Sequence, residues 1–167
     1  MADNFQYATM SAAAGGNTTV LPFAMQEKGQ SLRECVENYH KKAKDNLHID
    51  TSFHLIISDP SPQVLGQELP ALARDGYTSF KVFMTYDDLV LNDEELLKVF
   101  EVAKKEKTLV MVHAEGYDAI RYLTKKLEEE GKVAPYFHGI SRPQIVEREA
   151  THLSLIHISE PTRHASI

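Results

Sequence analysis

The sequence is poor in cysteine and in nucleotide-binding motifs. Cys35 is the only cysteine among 167 residues, which excludes an internal disulfide framework and a cysteine-rich zinc knuckle. Cys35 lies in a segment with helical spacing of apolar residues, so we expect it to be a buried packing residue. Neither of the glycine-rich phosphate loops, GxGxxG and GxxxxGKS/T, occurs. The chain therefore carries neither a disulfide scaffold nor a nucleotide fingerprint.

Long apolar runs and excess positive charge are also missing. No run approaches the roughly 18 residues of a membrane span, and the start Met1-Ala-Asp-Asn-Phe5 lacks the basic and apolar stretches of a signal peptide. The formal net charge of −6 is opposite in sign to that of a phosphate-backbone binder. We therefore expect a cytoplasmic chain with small-molecule or protein partners, and neither nucleic acid nor membrane.

Strand-length apolar runs alternate with amphipathic stretches along the chain. This order is typical of βα units and a parallel sheet. The predicted strands are 18–23, 51–57, 79–86 and 108–113, and the predicted helices begin at 31, 63, 92 and 118. Four βα units fit either a small doubly wound sheet or half of a (β/α)8 barrel, and periodicity does not choose between them.

Two of these helix starts carry a capping signal. Ser31-Leu-Arg-Glu34 and Asn92-Asp-Glu-Glu95 each place a polar N-cap three residues before a glutamate. In a capping box the N-cap side chain accepts from the N3 backbone N–H, and the glutamate accepts from the N-cap N–H. We expect both boxes to form.

Lys81 lies within the apolar run Phe80-Lys-Val-Phe-Met84. Burying an ammonium group is costly, so such a lysine is paired or loses its proton. The structural interpretation is that Lys81 reaches the strand end or pairs with Asp87 or Asp88. The functional one is that its neutral amine reacts with carbon dioxide to give an anionic carbamate that bridges two metal ions.

Further polar side chains lie at the carboxyl ends of predicted strands, where parallel βα folds place catalytic groups. His113 ends its strand and is either a neutral metal ligand or a structural residue. Glu115 either orients His113 or is solvated. Tyr86 is either an oxyanion donor or an amphipathic aromatic at a loop entrance.

The other histidines carry weaker signals. His54 lies inside an apolar strand and is expected to be structural. His138 belongs to a predicted loop and either gates a site or caps one. His40 and His48 are expected on the surface.

Four motifs occur along the chain: Ala12-Ala-Ala-Gly-Gly-Asn-Thr-Thr19, Ser79-Phe-Lys-Val-Phe-Met-Thr-Tyr86, Val112-His-Ala-Glu115, and His138-Gly-Ile-Ser-Arg-Pro143 followed by Glu147-Arg-Glu-Ala150. In order and spacing they resemble those of the dihydropyrimidinases and D-hydantoinases, which are cyclic amidohydrolases. One such match would be weak, whereas four in register are a specific signal.

The resemblance implies a metal-dependent α/β fold, the (β/α)8 TIM barrel, with approximately strands two to five in this chain. It implies two zinc ions bridged by a hydroxide and by a carboxylated Lys81, with His113 as a ligand and Tyr86 as a catalytic residue. The implied substrate is a small cyclic ureide, a dihydropyrimidine or 5-substituted hydantoin, hydrolysed at its cyclic amide bond to an N-carbamoyl amino acid. The full-length parent is implied to be a homotetramer.

Parts of the family pattern have no counterpart in this sequence. The HxH pair of the first barrel strand, a later histidine and a final aspartate are missing, which leaves Lys81 and His113 as the ligands present. We therefore expect an inactive internal piece of the enzyme, with residues 1–152 forming a partial barrel domain. Residues 153–167 are expected to be a non-native tail, because Leu153–Arg163 matches a translated transposase-type sequencing adaptor. His157 is then no ligand.

Other interpretations stay open. Dihydropyrimidinase-related scaffold proteins share the barrel and are expected to lack the metal-binding lysine and histidine, so Lys81, Tyr86 and His113 favour the enzyme. Allantoinases and dihydroorotases are neighbouring hydrolases, although the run Phe80–Tyr86 suits the hydantoinases better. A self-sufficient small α/β binding domain would instead unfold cooperatively as a monomer without metal.

Overall fold

The computed structural model describes residues 3–156, in which parallel strands alternate with helices. The strands are β1 (Thr19–Val20), β2 (Phe23–Met25), β3 (Asp50–Thr51), β4 (His54–Ile56), β5 (Ser79–Phe83) and β6 (Leu109–His113). The helices are α1 (Phe5–Ala14), α2 (Leu32–Ala43), a π-helix (Val64–Glu68), α3 (Leu69–Arg74), α4 (Asp93–Glu106), α5 (Tyr117–Glu129), α6 (Tyr136–Ile140) and α7 (Gln144–Ser154). None of these helices has the length and apolar character needed to cross a membrane.

Two parallel sheets organise the strands. β2, β4, β5 and β6 form a four-stranded sheet in that order, and β1 pairs with β3. The prediction of an α/β fold with parallel strands is therefore confirmed.

The four-stranded sheet has one covered face and one open face. The covered face packs on the helices, and its core includes Leu55, Phe80, Val82, Leu32, Val36, Leu69, Leu96 and Val99. The open face carries Lys81, which pairs with Met111, and Phe83, which pairs with His113. On the same face Met25 is 46% exposed. Apolar side chains on this face are thus left uncovered by the described part of the chain.

The first two predicted strands are each divided. Residues 18–23 give β1 and β2, and residues 51–57 give β3 and β4. Pro22 separates β1 from β2, because proline has no N–H to donate to a strand ladder. Its carbonyl still accepts from the His54 N–H at 3.0 Å. The predicted continuity of these strands is wrong, although both segments are extended.

The helix predicted from Gln63 to Arg74 has two parts. Residues Val64–Glu68 form the π-helix and Leu69–Arg74 form α3. Pro70 lies at the junction and removes one N–H from the regular ladder, which favours the wider turn before it. Glu68, the last residue of the π-helix, is buried.

The two predicted capping boxes have different outcomes. At α4 the box is complete, because Asn92 Oδ1 accepts from the Glu95 N–H and Glu95 Oε2 accepts from the Asn92 N–H, both at 2.9 Å. At α2 only half of the box forms, since Ser31 Oγ accepts from the Glu34 N–H at 3.3 Å. The Glu34 carboxylate stays exposed. Glu68 caps this helix instead, because its Oε2 accepts from the N–H groups of Leu32 and Arg33.

The C-terminal part departs from prediction at His138. This residue lies in the short helix α6 and not in a loop. Pro135 precedes α6 with a φ of −52°, which suits a helix start. Farther on, α7 continues to Ser154, past the predicted domain boundary at residue 152. The assignment of residues 153–167 as a non-native tail stays a prediction, and His157 lies outside the described residues.

Candidate metal and catalytic site

Lys81 lies on the open face of β5 with its amine over an aromatic ring. Its Nζ is 4.6 Å from the centre of the Phe83 ring, within cation–π range. Burial lowers the pKa of Lys81 below its ordinary value. The predicted pairing with Asp87 or Asp88 does not form in the described structure, where Asp87 accepts from the Tyr117 hydroxyl. An amine in this setting holds its proton less tightly than an exposed lysine does.

His113 lies at the end of β6, stacked on Phe83. The two ring centroids are 5.6 Å apart and the ring planes differ by 21°. Lys81 and Phe83 are two residues apart on one strand, so their side chains share a face. The Phe83 ring therefore contacts both the amine of Lys81 and the imidazole of His113. Sequence reasoning missed this role of Phe83, which its spacing from Lys81 could have indicated.

Tyr86 lies just beyond β5 in an unusual backbone conformation. Its φ is 75°, a region that bulky residues rarely adopt. The Tyr86 carbonyl accepts from the N–H groups of Leu89 and Val90 at 3.0 and 2.8 Å, which closes a turn. This turn brings the ring back against Phe83 and His113. The Tyr86 hydroxyl lies 3.4 Å from His113 Nε2.

Glu115 and Arg142 adjoin His113 on its other side. Glu115 Oε2 is 2.7 Å from His113 Nε2, and Glu115 Oε1 is 3.6 Å from Arg142 Nε. Of the two interpretations of Glu115, the structure therefore favours contact with the imidazole. Sequence reasoning gave Arg142 no role, because nothing in the local pattern links the start of α7 to the end of β6.

No protein-family model matches the chain. The chain is 46% identical to the D-hydantoinase of Rhizobium radiobacter over 151 residues, which are 90% of this chain and 33% of that protein. It is 37% identical to the dihydropyrimidinase of Rattus norvegicus over 151 residues, 89% of this chain and 29% of that protein.

Solved structures agree with the sequence matches. A D-hydantoinase structure superposes with a TM-score of 0.89 at 45% identity, covering 93% of this chain and 34% of that one. A dihydropyrimidinase from Brevibacillus agri gives a TM-score of 0.87 at 40% identity, covering 93% and 34%. The resemblance to D-hydantoinases and dihydropyrimidinases is confirmed. The chain spans about a third of the length of the curated relatives it matches.

The described residues do not form a complete metal donor set. Among residues 3–156, no group of three or more His, Cys, Asp and Glu is placed to hold a metal ion. Lys81 and His113 nevertheless lie on the same face of the sheet, on the adjacent strands β5 and β6. Lys81 is two residues before Phe83, which pairs with His113. Imidazole and a carboxylated amine are both suitable metal ligands. The described residues therefore fit part of a metal site and not a whole one.

The remaining candidates belong to other strands, helices and loops. His54 Nδ1 is 2.5 Å from Ser79 Oγ within the sheet, an arrangement that suits a structural role. His40 and His48 are exposed, as predicted. Cys35 is 1% exposed, and burial raises the pKa of its thiol to about 11. The prediction that Cys35 is a buried packing residue is confirmed.

Proposed function

We propose that this chain carries part of the active site of a zinc-dependent cyclic amidohydrolase acting on dihydropyrimidines or 5-substituted hydantoins. The observation that carries the proposal is that Lys81 and His113 share one face of the sheet, with Tyr86 against His113, in a chain similar to D-hydantoinases. A non-enzymatic scaffold would need none of these three side chains. Their retention therefore favours the enzyme.

The open sheet face supports a partial (β/α)8 barrel of approximately strands two to five. Helices cover the opposite face, whereas the face of Lys81 presents Phe23, Met25 and Leu109 with 40%, 46% and 63% of their surface exposed. In a closed barrel such inward residues fill the interior. Lys81 and His113 would then project into the barrel near its carboxyl-terminal mouth, where βα folds place their active sites.

Lys81 and His113 would supply metal ligands. The uncharged amine of Lys81 attacks the carbon of carbon dioxide, and loss of one proton from nitrogen leaves an anionic carbamate with two oxygens. The lowered pKa of Lys81 favours the uncharged amine. His113 would contribute a neutral imidazole nitrogen. When bound, two zinc ions would lower the pKa of a shared water and polarise the substrate carbonyl.

Tyr86 would assist the bond-breaking step. The oxygen of water adds to the cyclic amide carbon, the carbon–nitrogen bond breaks, and a proton goes to the leaving nitrogen. The product is an N-carbamoyl amino acid. While the carbon is tetrahedral, the Tyr86 hydroxyl would donate a hydrogen bond to the developing oxyanion. Its position beside His113 supports this role.

A chimeric enzyme tests the proposed function. The segment of this chain that matches the Rhizobium radiobacter D-hydantoinase replaces its counterpart in that enzyme, and hydantoin hydrolysis and zinc content are measured. We expect a zinc-containing, active chimera. Lys81→Ala should abolish turnover and lower the zinc content, because it removes a side chain that would bind the metal.

A second variant separates catalysis from metal binding. Tyr86→Phe should keep the zinc and lower kcat roughly hundredfold to thousandfold, as removal of one oxyanion donor does. The control is His48→Gln, an exposed residue away from the site, which should retain full activity. An active chimera whose Lys81→Ala variant turns over at the parental rate would refute the proposal.

A further inference from the structure

The contact between Glu115 and His113 defines which ring nitrogen carries hydrogen. An ionised carboxylate only accepts hydrogen bonds, so at 2.7 Å the Nε2 of His113 must be the donor. In neutral imidazole the other nitrogen, Nδ1, then keeps its lone pair. The two side chains are 33% and 20% exposed, so the contact is partly shielded from water.

Arg142 holds the far side of the Glu115 carboxylate. Its Nε lies 3.6 Å from Glu115 Oε1, and its Nη1 lies 3.2 Å from Ser141 Oγ and 3.1 Å from His138 Nδ1. The two oxygens of Glu115 thus have separate partners. Glu115 is held between the imidazole at the end of β6 and the guanidinium at the start of α7.

The backbone beside Glu115 is packed closely against α7. The Gly116 N–H donates to the Val146 carbonyl at 3.3 Å. A Cβ at Gly116 would lie 3.2 Å from Val146 Cγ1, so a glycine permits this approach. The loop that carries Glu115 is therefore fixed in position by α7, independently of the imidazole contact.

We propose that Glu115 and Arg142 are positioning residues that hold His113 with hydrogen on Nε2, so that Nδ1 would be the nitrogen left to bind a metal. This inference rests on the proposed function for the identity of the metal site. The Phe83 stack sets the plane of the ring, and the Glu115–Arg142 pair sets its rotation within that plane. Since Nε2 is already bonded to Glu115, the Tyr86 hydroxyl remains available to the substrate.

Nuclear magnetic resonance of the 167-residue chain, labelled with ¹⁵N-histidine, tests this inference without metal. Spectra are recorded at about pH 8, above the ordinary histidine pKa of about 6.5, and His113→Asn identifies the His113 signals. We expect hydrogen on Nε2 of His113. In Glu115→Ala this hydrogen should exchange with water at least about tenfold faster, because a charge-assisted bond is lost.

Matched variants distinguish positioning from general loss of structure. Arg142→Lys keeps a cation and should retain slow exchange, whereas Arg142→Ala should accelerate it. Glu147→Ala removes an exposed carboxylate on α7 and should change nothing. If the alanine variant loses the parental backbone spectrum, Glu115→Gln, which preserves side-chain size, takes its place. In Glu115→Gln the Nε2 hydrogen of His113 should exchange at a rate between those of the unmodified chain and of Glu115→Ala.

Two results would overturn the inference. One is hydrogen on Nδ1 of His113 in the unmodified chain, and the other is exchange unaffected by both Glu115 variants. Neither measurement involves metal or substrate. Failure of the positioning pair and failure of the chimera to hydrolyse hydantoin are therefore separate results.

Discussion

At the scale of single residues, Glu68 shows how a buried charge is accommodated. This carboxylate is 2% exposed and accepts from Ser31 Oγ, from the N–H groups of Leu32 and Arg33, and from Gln63 Nε2 at 2.6–3.3 Å. Burial alone would raise the pKa of Glu68, but these hydrogen bonds outweigh burial and the pKa lies below its ordinary value. The charge is thus stabilised by helix and side-chain donors.

Glu68→Gln should lower the free energy of unfolding by about 1–3 kcal/mol at neutral pH, since an amide NH2 would meet groups that are themselves donors. The folded pKa of Glu68 lies below the unfolded value of about 4.3. Its contribution is therefore complete above about pH 4.3 and lost as pH falls through the folded pKa. Urea unfolding at neutral and acidic pH measures this.

The matched control for Glu68 is Glu34→Gln, at an exposed glutamate near the same helix start. It should change the free energy of unfolding by less than about 0.5 kcal/mol. The outcome that would contradict this prediction is a loss of unfolding free energy in Glu68→Gln that is the same at neutral pH and near pH 3. The ionised carboxylate of Glu68 would then not be the source of the loss.

At the scale of elements, the helix starts of α2 and α4 use different caps. Glu95→Ala should lower the free energy of unfolding by about 0.5–1 kcal/mol, because it removes the reciprocal bond of a complete capping box. Glu34→Ala occupies the same position in α2 and removes no such bond, so its effect should be smaller. Urea unfolding of both variants makes the comparison. Equal losses would contradict the assignment of Glu68 as the cap of α2.

At the scale of the whole molecule, the open sheet face governs behaviour in solution. Among residues 3–156, this face has exposed apolar side chains and β2 pairs on one side only, and both features favour association. We expect the 167-residue chain to self-associate as its concentration rises, measured by sedimentation. Met25→Lys should reduce this association. Tyr122→Ser is the control, because Tyr122 is an exposed aromatic residue on α5. Association unaffected by Met25→Lys would exclude the open face as its cause.

Two candidate metal ligands are too few for an active metal site, so we expect this chain alone to be inactive. The 167-residue chain by itself should neither hydrolyse hydantoin nor hold stoichiometric zinc, because Lys81 and His113 alone do not complete a dinuclear site. Zinc analysis and a hydantoin assay on the purified chain measure both. Stoichiometric zinc with turnover would contradict this prediction. The homotetramer stays a prediction for the full-length parent.

The sequence by itself determined the βα alternation, the box at Asn92 and the candidates Lys81, His113 and Tyr86. These are local properties: apolar periodicity, residue type at a helix start, and position within or just after a strand. The tertiary structure alone decided that Glu68 caps α2 and that Glu115 and Arg142 flank His113, because those contacts join segments far apart in the chain. It also decided that, among the described residues, no helix covers the sheet face that carries Lys81. A run of apolar residues shows that a strand is to be buried, whereas only the packed elements show which face is covered.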